Sequence, residues 1–530
     1  GDPLFSDAEG YDITDGGPVN NSDRVFGENT DGMETFSFQG HELIAINHEY
    51  PNRKINLPAA QDGVPANADD VLKLQNIQGV TVMEISEGAD GWSVVKDSPF
   101  NRRIHHNTPM KLVGPAAGHD LLKTDADPTG TVSMGTMNNC GSGKTPWGTY
   151  LTCEENFNGY FGSSDETADY DQKVADGFTR YGIKAESWNG YELFDPRFDT
   201  SKNPNEPHRA GWIVEIDPTD PESTPIKHTG LGRFKHENAE VVLAKDGRVV
   251  VYMGDDERGE YLYKFVSHGT YRPGMDTVDL LNQGTLHVAK FSDDQTGEWL
   301  PLTPETTGLD AAEILIFTRM AASTVGGTTM DRPEWVAVSP IAVEAYCCLT
   351  NNKNRGVKPN AGGDDTSANG PNPRDTNKYG QIVRWRPVDD DHGSLNFDWD
   401  LYVMAGNPTV HEDARAGSEN VNAGNLFNSP DGMAIDSTGL VWIQTDGDDG
   451  NEDDFAGHGN NQMLVGDPVT GEIVRFMTGP NGCEVTGLAW SSDQRTMFVG
   501  IQHPGSNWPD GGTPRSSIIT IKRSDNGVVS

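Results

Sequence analysis

The chain is poor in cysteine, in basic residues and in long apolar runs. Its five cysteines are too few and too irregularly spaced for a disulfide framework. The 80 Asp and Glu residues outnumber the 40 Lys and Arg residues, so the formal charge is −40. This charge argues against a nucleic-acid backbone or an anionic membrane surface as partner, because both would be repelled. No apolar run approaches the roughly 18 residues that a membrane-spanning helix needs, so we expect no membrane span.

Several familiar catalytic motifs are also missing. Residues 141–145 read GSGKT like the end of a phosphate-binding loop, but Asn138 stands where that loop needs its first glycine. His48 and His236 each begin an HE pair without the second histidine of HExxH, which excludes that zinc-protease motif. No GxSxG sequence supports a nucleophilic serine. The acidic run 446–454 lacks the glycine of an EF-hand loop, so we expect only Asp446 to reach a site.

What the chain does contain is a turn-rich β pattern, with 61 glycines and 32 prolines. A repeated unit has a carboxylate that opens an apolar strand, then a turn, then a second strand with a polar end. It occurs at 237–256, 334–352, 431–447 and 484–504. Adjacent antiparallel strand pairs repeated along a chain are typical of β-propeller blades. We therefore predict an all-β propeller forming one catalytic domain over residues 1–530, with insertions near 157–209, 303–332 and 351–379.

The opening carboxylates indicate bound cations. If each occupies the same place in its blade, all of them point into one mouth of the central channel. Carboxylates crowded there repel each other and are costly to bury without a partner of opposite charge. The sequence thus predicts a multi-metal site at the propeller mouth.

A second candidate feature is the segment NNCGSGKTPWGTYLTCEEN, residues 138–156. Its hairpin can bring Cys140 beside Glu154 or Glu155, of which one is expected to face solvent. Calcium prefers oxygen ligands, so a thiolate ligand would favour a softer metal such as iron or zinc. The alternative is that Cys140 is a small buried apolar residue.

Several long segments together resemble the PhoX family of bacterial alkaline phosphatases. They are NNCGSGKTPWGTYLTCEEN, RFKHENAE, MDRPEW, SPDGMAID with WIQTDG, and CEVTG with IQHPG, in this order along nearly the whole chain. The resemblance implies a six-bladed propeller that hydrolyses phosphomonoesters with paired ferric ions and several calcium ions joined by a bridging oxygen, the expected nucleophile. It also implies export in folded form by the twin-arginine route, to the periplasm or the medium. We expect a monomer that binds phosphomonoesters and inorganic phosphate.

The resemblance also implies roles for individual residues. The metal ligands that match are Cys140, Glu155, Glu237, Glu334, Asp431, Asp446 and Glu484, while Glu49, Asn139 and Asp255 sit in similar motifs without an assigned role. Arg332 matches the arginine that contacts the phosphoryl group. Its planar fork of donors suits phosphate oxygens, and a spacing of two places it on the same face of an extended strand as Glu334.

Two other functions are compatible with a propeller. A calcium-dependent hydrolase of lactones or phosphotriesters would use fewer metals and would not need Cys140. A non-catalytic binding propeller that calcium only stabilises would leave Arg332 and Cys140 without a role. Fold alone does not decide between these functions.

Overall fold

The computed structural model describes residues 2–9, 22–165, 167–505 and 507–529. The chain divides into two compact units. The first unit contains residues 1–236 and 309–320, and the second contains residues 237–308 and 321–530.

The first unit holds two sheets built from eleven strands. They are β1 Thr30–Phe38, β2 His41–His48, β3 Gly79–Gly88, β4 Gly91–Val94, β5 Arg102–Ile104, β6 Pro109–Val113, β7 Val132–Met134, β8 Asn139–Lys144, β9 Tyr150–Glu154, β10 Ile213–Ile216 and β11 Ile226–His228. One sheet has the order β1-β2-β3-β4, with β5 on β3, and the other has the order β7-β6-β11-β10-β9-β8. We call β1–β4 blade 1 and β8–β11 blade 2.

The second unit holds three sheets. Its strands are β12 Glu240–Leu243, β13 Arg248–Gly254, β14 Leu262–Thr270, β15 Gly284–Phe291, β16 Thr296–Pro301, β17 Pro333–Val338, β18 Ala345–Leu349, β19 Gln381–Pro387, β20 Asn396–Met404, β21 Pro430–Ile435, β22 Val441–Thr445, β23 Gln462–Gly466, β24 Ile473–Thr478, β25 Glu484–Trp490, β26 Thr496–Gln502 and β27 Ser517–Lys522. The nine-stranded sheet joins two antiparallel meanders, β12–β16 and β17–β20, through pairing of β16 with β20. These meanders are blades 3 and 4, and the sheets β21–β24 and β25–β27 are blades 5 and 6. The all-β prediction and the four predicted strand–turn–strand units are confirmed.

Helices are few and short. They are α1 Arg53–Asn56, α2 Ala68–Asn76, α3 Gln172–Tyr181, α4 Pro304–Thr307, α5 Ala311–Ile316 and α6 Thr318–Val325. Single 3-10 turns occupy Ser6–Ala8, Gln61–Gly63, Asp120–Leu122, Phe157–Tyr160, Tyr191–Leu193, Pro196–Phe198, Glu206–Arg209, Thr229–Leu231, Val278–Leu281, Val388–Asp390, Ala414–Ala416 and Asp453–Phe455. Polar side chains cap the N-termini of α1, α2, α4 and α5, as when the Asp310 carboxylate accepts from the backbone N–H of Glu313 at 2.8 Å. No helix of the described residues is both long and apolar enough to cross a bilayer.

The predicted insertions lie between or beside blades. Residues 157–209 carry α3 and several 3-10 turns, residues 303–332 carry α4 to α6, and residues 351–379 have neither helix nor paired strand in the described chain. The single-domain organisation stays a prediction.

Alternating side chains of the blades build apolar cores. In the second unit, Tyr252, Trp299 and Trp385 meet at ring-centroid distances of 5.2 to 6.1 Å. Trp385 has no exposed surface, and burying a large apolar side chain contributes roughly 3 kcal/mol. This packing fixes the strands and therefore the positions of the residues at their ends.

Candidate metal centre

The candidate ligands occupy two equivalent positions in each blade. The opening position lies at or just before the start of the first strand, and the closing position is the residue directly after the second strand. In blade order, the opening residues are Asp31, Cys140, Glu237, Glu334, Asp431 and Glu484, and the closing residues are Glu49, Glu155, Asp255, Thr350, Asp446 and His503. Nine of the sequence-predicted site residues fall on this two-position repeat.

A shared backbone conformation produces the opening position. Two residues before it, five blades have a residue with left-handed φ: Asn29 at 48°, Asn138 at 48°, Arg332 at 52°, Ser429 at 49° and Gly482 at 69°. In blades 1, 2, 4 and 5, an irregularity in strand register spans the opening residue itself. A bulge of this kind interrupts strand alternation and re-aims a side chain.

The same left-handed residues tie the two positions together. The carbonyl of Asn29 accepts from the N–H of Glu49 at 2.9 Å, and that of Asn138 accepts from the N–H of Glu155 at 3.0 Å. In blade 5, the carbonyl of Ser429 accepts from the N–H of Asp446 at 3.2 Å. One backbone hydrogen bond therefore holds the opening and closing positions of a blade side by side.

In the first unit, Cys140 lies among carboxylates. One ligand atom each from Asp31, Glu49 and Cys140 lie within 4.8 Å of one another. The Cys140 Sγ is 3.1 Å from Oδ2 of Asp31, to which the thiol donates. Asp31 and Cys140 are both buried. The arrangement offers one soft and two hard ligand atoms.

The amide of Asn138 brings Glu155 to the same place. Its Nδ2 donates to Glu49 Oε1 and to Glu155 Oε2, both at 3.1 Å. The neighbouring Asn139 points elsewhere, since its Nδ2 donates to the Thr136 and Thr152 hydroxyls at 2.7 and 2.8 Å. The Asn138 amide thus contacts the candidate ligands, whereas the Asn139 amide contacts two threonine hydroxyls.

Of the two adjacent glutamates, Glu154 has a structural role. Its Oε1 accepts from the buried Lys227 ammonium at 2.8 Å. Its Oε2 accepts from the backbone N–H groups of Gly211 and Trp212 at 3.0 and 3.1 Å. Both glutamates are buried, so the expectation that one faces solvent is wrong. Because Glu154 is held by these structural contacts, Glu155, at the closing position, is the candidate ligand.

In the second unit, carboxylates cluster at the openings of blades 3 and 4. One oxygen each from Glu237, Asp256 and Glu334 lie within 4.8 Å of one another, and all three residues are buried. Burial raises the pKa of Glu334 well above its ordinary value, and the charge of Asp256 adds to this effect. Asp431 and Glu237 act in the same direction, whereas Arg332 opposes them. Mutual repulsion of this kind is what a bound cation would relieve.

Blades 5 and 6 of the same unit supply another group. Ligand atoms of Asp446, Glu484 and His503 lie within 4.8 Å of one another. The His503 Nε2 is 3.7 Å from the Glu484 carboxylate, and Glu484 is buried while Asp446 is exposed. Asp446 is the first residue of the acidic run, and its carboxylate lies in this group.

Arg332 lies beside the carboxylates of the second unit. Its Nη2 is 2.7 Å from Asp256 Oδ2 and 3.2 Å from Glu334 Oε1. Burial acts to lower the pKa of the guanidinium, but the charges of Asp256 and Glu334 outweigh it, so the pKa rises. The proximity to Glu334 was predicted from strand alternation, and that reason is wrong. Arg332 precedes β17 and has left-handed φ, so the turn of the backbone and not a shared strand face brings the two together.

Three residues of these groups were not identified from the sequence: Asp31, Asp256 and His503. The two-position repeat would have indicated two of them, since Asp31 opens blade 1 and His503 closes blade 6. Asp256 falls one residue beyond a closing position. The closing residue itself, Asp255, has no exposed surface.

The donor set fits an iron and calcium cofactor. A cysteine sulfur among carboxylates suits a transition metal, and groups of carboxylate oxygens suit calcium. All five cysteines are buried and outside any disulfide, so the Cys140 sulfur is not part of a disulfide bond. Burial, together with the charges of Asp256, Asp431 and Glu237, raises the pKa of Glu334 in spite of the opposing charge of Arg332.

Comparisons with known proteins show similarity over most or all of the chain. The family model described as alkaline phosphatase PhoX matches residues 1–505. Among solved structures, Pseudomonas fluorescens PhoX in complex with vanadate, a transition state analogue, is 49% identical, with a TM-score of 0.95. The match covers 100% of this chain and 94% of that chain. This similarity, together with the blades described above, confirms the predicted β-propeller fold.

More distant structures add no argument. A Xanthomonas campestris gluconolactonase is 11% identical, with a TM-score of 0.30, over 79% of this chain and 89% of that one. An α-L-arabinanase from Penicillium chrysogenum is 9% identical, with a TM-score of 0.34, over 93% of both chains. No curated protein sequence matches the chain.

Proposed function

Because the chain belongs to the alkaline phosphatase PhoX family, we propose that it hydrolyses phosphate monoesters at an iron and calcium centre. The observation that carries this proposal is the similarity to Pseudomonas fluorescens PhoX over the whole chain, since that protein is described in complex with vanadate, a transition state analogue. The position of Arg332 among the candidate ligands agrees with it.

We assign paired ferric ions and several calcium ions to the residues of the two-position repeat. In the first unit, Cys140 would hold iron, with Glu155 and Glu49 as oxygen ligands. In the second unit, the ligands would be Glu237, Glu334, Asp431, Asp446 and Glu484. When bound, the metals would supply fixed positive charge and Lewis acidity toward phosphoryl and water oxygens.

The residues of this chain would act on the substrate in two ways. Arg332 would donate to phosphoryl oxygens, because its Nη1 makes none of the ion pairs described above and a guanidinium matches phosphate geometry. The buried carboxylates would fix the cations in advance, so that positive charge already lies where the transition state develops negative charge. Asp255 and Asn139, which have no exposed surface, are proposed as supporting residues.

The remaining expectations rest on the family and on charge. We propose that the protein is exported in folded form by the twin-arginine route to the periplasm or the medium. We also propose that it acts as a monomer on small phosphate esters and does not bind nucleic acid, given the formal charge of −40.

The test is turnover of p-nitrophenyl phosphate together with elemental analysis of the purified protein. We expect phosphatase activity, with iron and calcium both present. A lactone and paraoxon serve as control substrates and should be hydrolysed poorly. Zinc without calcium, or lactonase activity without phosphatase activity, would contradict the proposal.

A further inference from the structure

We propose that Asp256 is a positioning residue, which orients the Arg332 guanidinium for the phosphoryl group. This inference rests on the proposed phosphatase function, in which Arg332 contacts substrate. It assigns to Asp256 a role toward the arginine and not toward the metals, although Asp256 lies within 4.8 Å of candidate ligands.

The side-chain geometry supports this role. The Arg332 Nε donates to Asp256 Oδ1 and Nη2 donates to Oδ2, both at 2.7 Å. Two parallel bonds fix the plane of the guanidinium as well as its position. Because they use the Nε edge, both N–H groups of Nη1 lie outside this pair and can be directed at a phosphoryl oxygen.

The backbone at Arg332 indicates that its placement is functional. The other blades with left-handed φ at this position use Asn29, Asn138, Ser429 and Gly482, whose residue types are small and mostly suited to that conformation. Arginine is not a residue type that this left-handed conformation favours. Strained backbone at such a point suggests that function selects the side chain.

A second set of contacts holds Asp331, the residue before Arg332. Asp331 and Arg355 are both without exposed surface, and Arg355 Nε donates to Asp331 Oδ1 at 2.7 Å. Asn377 Nδ2 donates to the other oxygen of Asp331 at 3.0 Å. Arg355 and Asn377 come from the predicted insertion 351–379, which therefore braces the residue before Arg332. With the backbone fixed, the direction of the guanidinium depends on Asp256.

Positioning and simple electrostatics predict opposite results. Asp256 places a negative charge close to where a phosphate dianion would bind, so its removal should strengthen phosphate binding if charge alone matters. If Asp256 orients Arg332, its removal should weaken binding in spite of the gain in positive charge. The sign of the effect therefore decides.

The experiment compares Asp256→Asn and Asp256→Ala with the wild-type holoenzyme, alone and combined with Arg332→Ala. Measurements are KM and kcat for p-nitrophenyl phosphate, inhibition by inorganic phosphate, and iron and calcium content. The matched control is Asp400→Asn, because Asp400 makes the same two-pronged pair with Arg384, at 2.8 and 2.6 Å, on β19 and β20.

We expect Asp256→Ala to lower kcat/KM and weaken phosphate inhibition by about tenfold each, a coupling typical of contacting residues. Asp256→Asn keeps one acceptor oxygen and should lose less. Metal content should stay at the wild-type level, Asp256→Ala should cost nothing further in the Arg332→Ala background, and Asp400→Asn should have wild-type kinetics.

Three results would overturn the inference: loss of metal from Asp256→Asn, phosphate inhibition that is unchanged or stronger, or an undiminished effect of Asp256→Ala in the Arg332→Ala background. The first would make Asp256 a metal ligand. Wild-type turnover in the same assay tests the proposed function separately, so the two failures can be told apart.

Discussion

The candidate centres of the two units share a backbone design but differ in ligand chemistry. In the first unit, the thiol of Cys140 lies with the carboxylates of Asp31 and Glu49. In the second unit, the groups offer carboxylate oxygens and one imidazole, with the Arg332 guanidinium beside them. In five blades, from both units, a residue with left-handed φ stands two residues before the opening position. The backbone therefore sets where each candidate ligand atom lies, and the side chain sets whether that atom is sulfur, oxygen or nitrogen.

The largest effect should come from removing calcium, which tests the carboxylate groups of the second unit. Calcium is held by oxygen ligands and exchanges more readily than iron on a thiolate. Treatment with EGTA should abolish p-nitrophenyl phosphate turnover while most iron stays bound, and added calcium should restore turnover. Full activity after verified calcium depletion would show that the second unit needs no calcium.

The next effect tests the thiol of the first unit. Cys140→Ser should lower iron content and any visible charge-transfer absorption together, because an alcohol ionises far less readily than a thiol. Cys153→Ser is the matched control, since Cys153 is buried on β9 and outside the cluster. If Cys140→Ser keeps full iron and colour, Cys140 is a packing residue.

Arg332 should affect turnover without affecting the metals. Arg332→Ala should reduce kcat/KM by a factor of about one hundred, since a preorganised donor contributes a few kcal/mol to transition-state stabilisation. Arg332→Lys should recover part of this loss, because a point charge cannot make a two-pronged contact. Arg384→Ala removes an arginine paired with Asp400 in the same way and is the control. Wild-type turnover in metal-loaded Arg332→Ala would remove Arg332 from the mechanism.

A smaller effect is expected from Asn138, which contacts two candidate ligands of the first unit. Asn138→Gly keeps the left-handed backbone but loses the donor to Glu49 and Glu155, so iron affinity should fall by about tenfold or more. Asn29→Gly is the control, because Asn29 has the same φ while its amide donates to the Tyr50 carbonyl at 2.9 Å. Competition with an iron chelator measures both variants. Equal iron affinity for Asn138→Gly and wild type would contradict a positioning role for the amide.

The smallest effect tests the shared backbone itself. Gly482, two residues before Glu484, has φ of 69°, and a β-carbon there would lie in ordinary contact with Gly505. Gly482→Ala should therefore cost about 1 kcal/mol of unfolding free energy from backbone strain alone. Gly482→Asn should cost less, since asparagine tolerates this conformation. Thermal unfolding compares the two, and equal stability of all three proteins would show that the conformation relaxes freely.

The sequence predicted the strands of the second unit well because their apolar alternation is regular and their turns are short. The four units predicted at 237–256, 334–352, 431–447 and 484–504 all form observed strand pairs, β12–β13, β17–β18, β21–β22 and β25–β26. The opening carboxylates followed from those strands. Asp31 was missed because the repeated unit was recognised only from residue 237 onward, whereas blade 1 begins at Thr30.

Other parts of the site depend on contacts that no local pattern carries. Asp256 meets Arg332 across 76 residues of sequence. The choice between Glu154 and Glu155 depends on Lys227, a buried partner that arrives from β11. Asn138 and Asn139 are adjacent residues of the same type. Asn138 has left-handed φ, at 48°, and its amide contacts the candidate ligands.

The two-position repeat also explains why one blade can carry a different function from the others. At the closing position of blade 4 stands Thr350, whose N–H donates to the Arg332 carbonyl at 3.2 Å. In the other blades that place holds an ionisable side chain. Blade 4 thus has Arg332 at the position with left-handed φ, and it has the neutral hydroxyl of Thr350 at the closing position, where the other blades have an ionisable side chain. Under the proposed function, the same backbone geometry would place a cation ligand in most blades and, in blade 4, an anion-binding arginine beside the ligand Glu334.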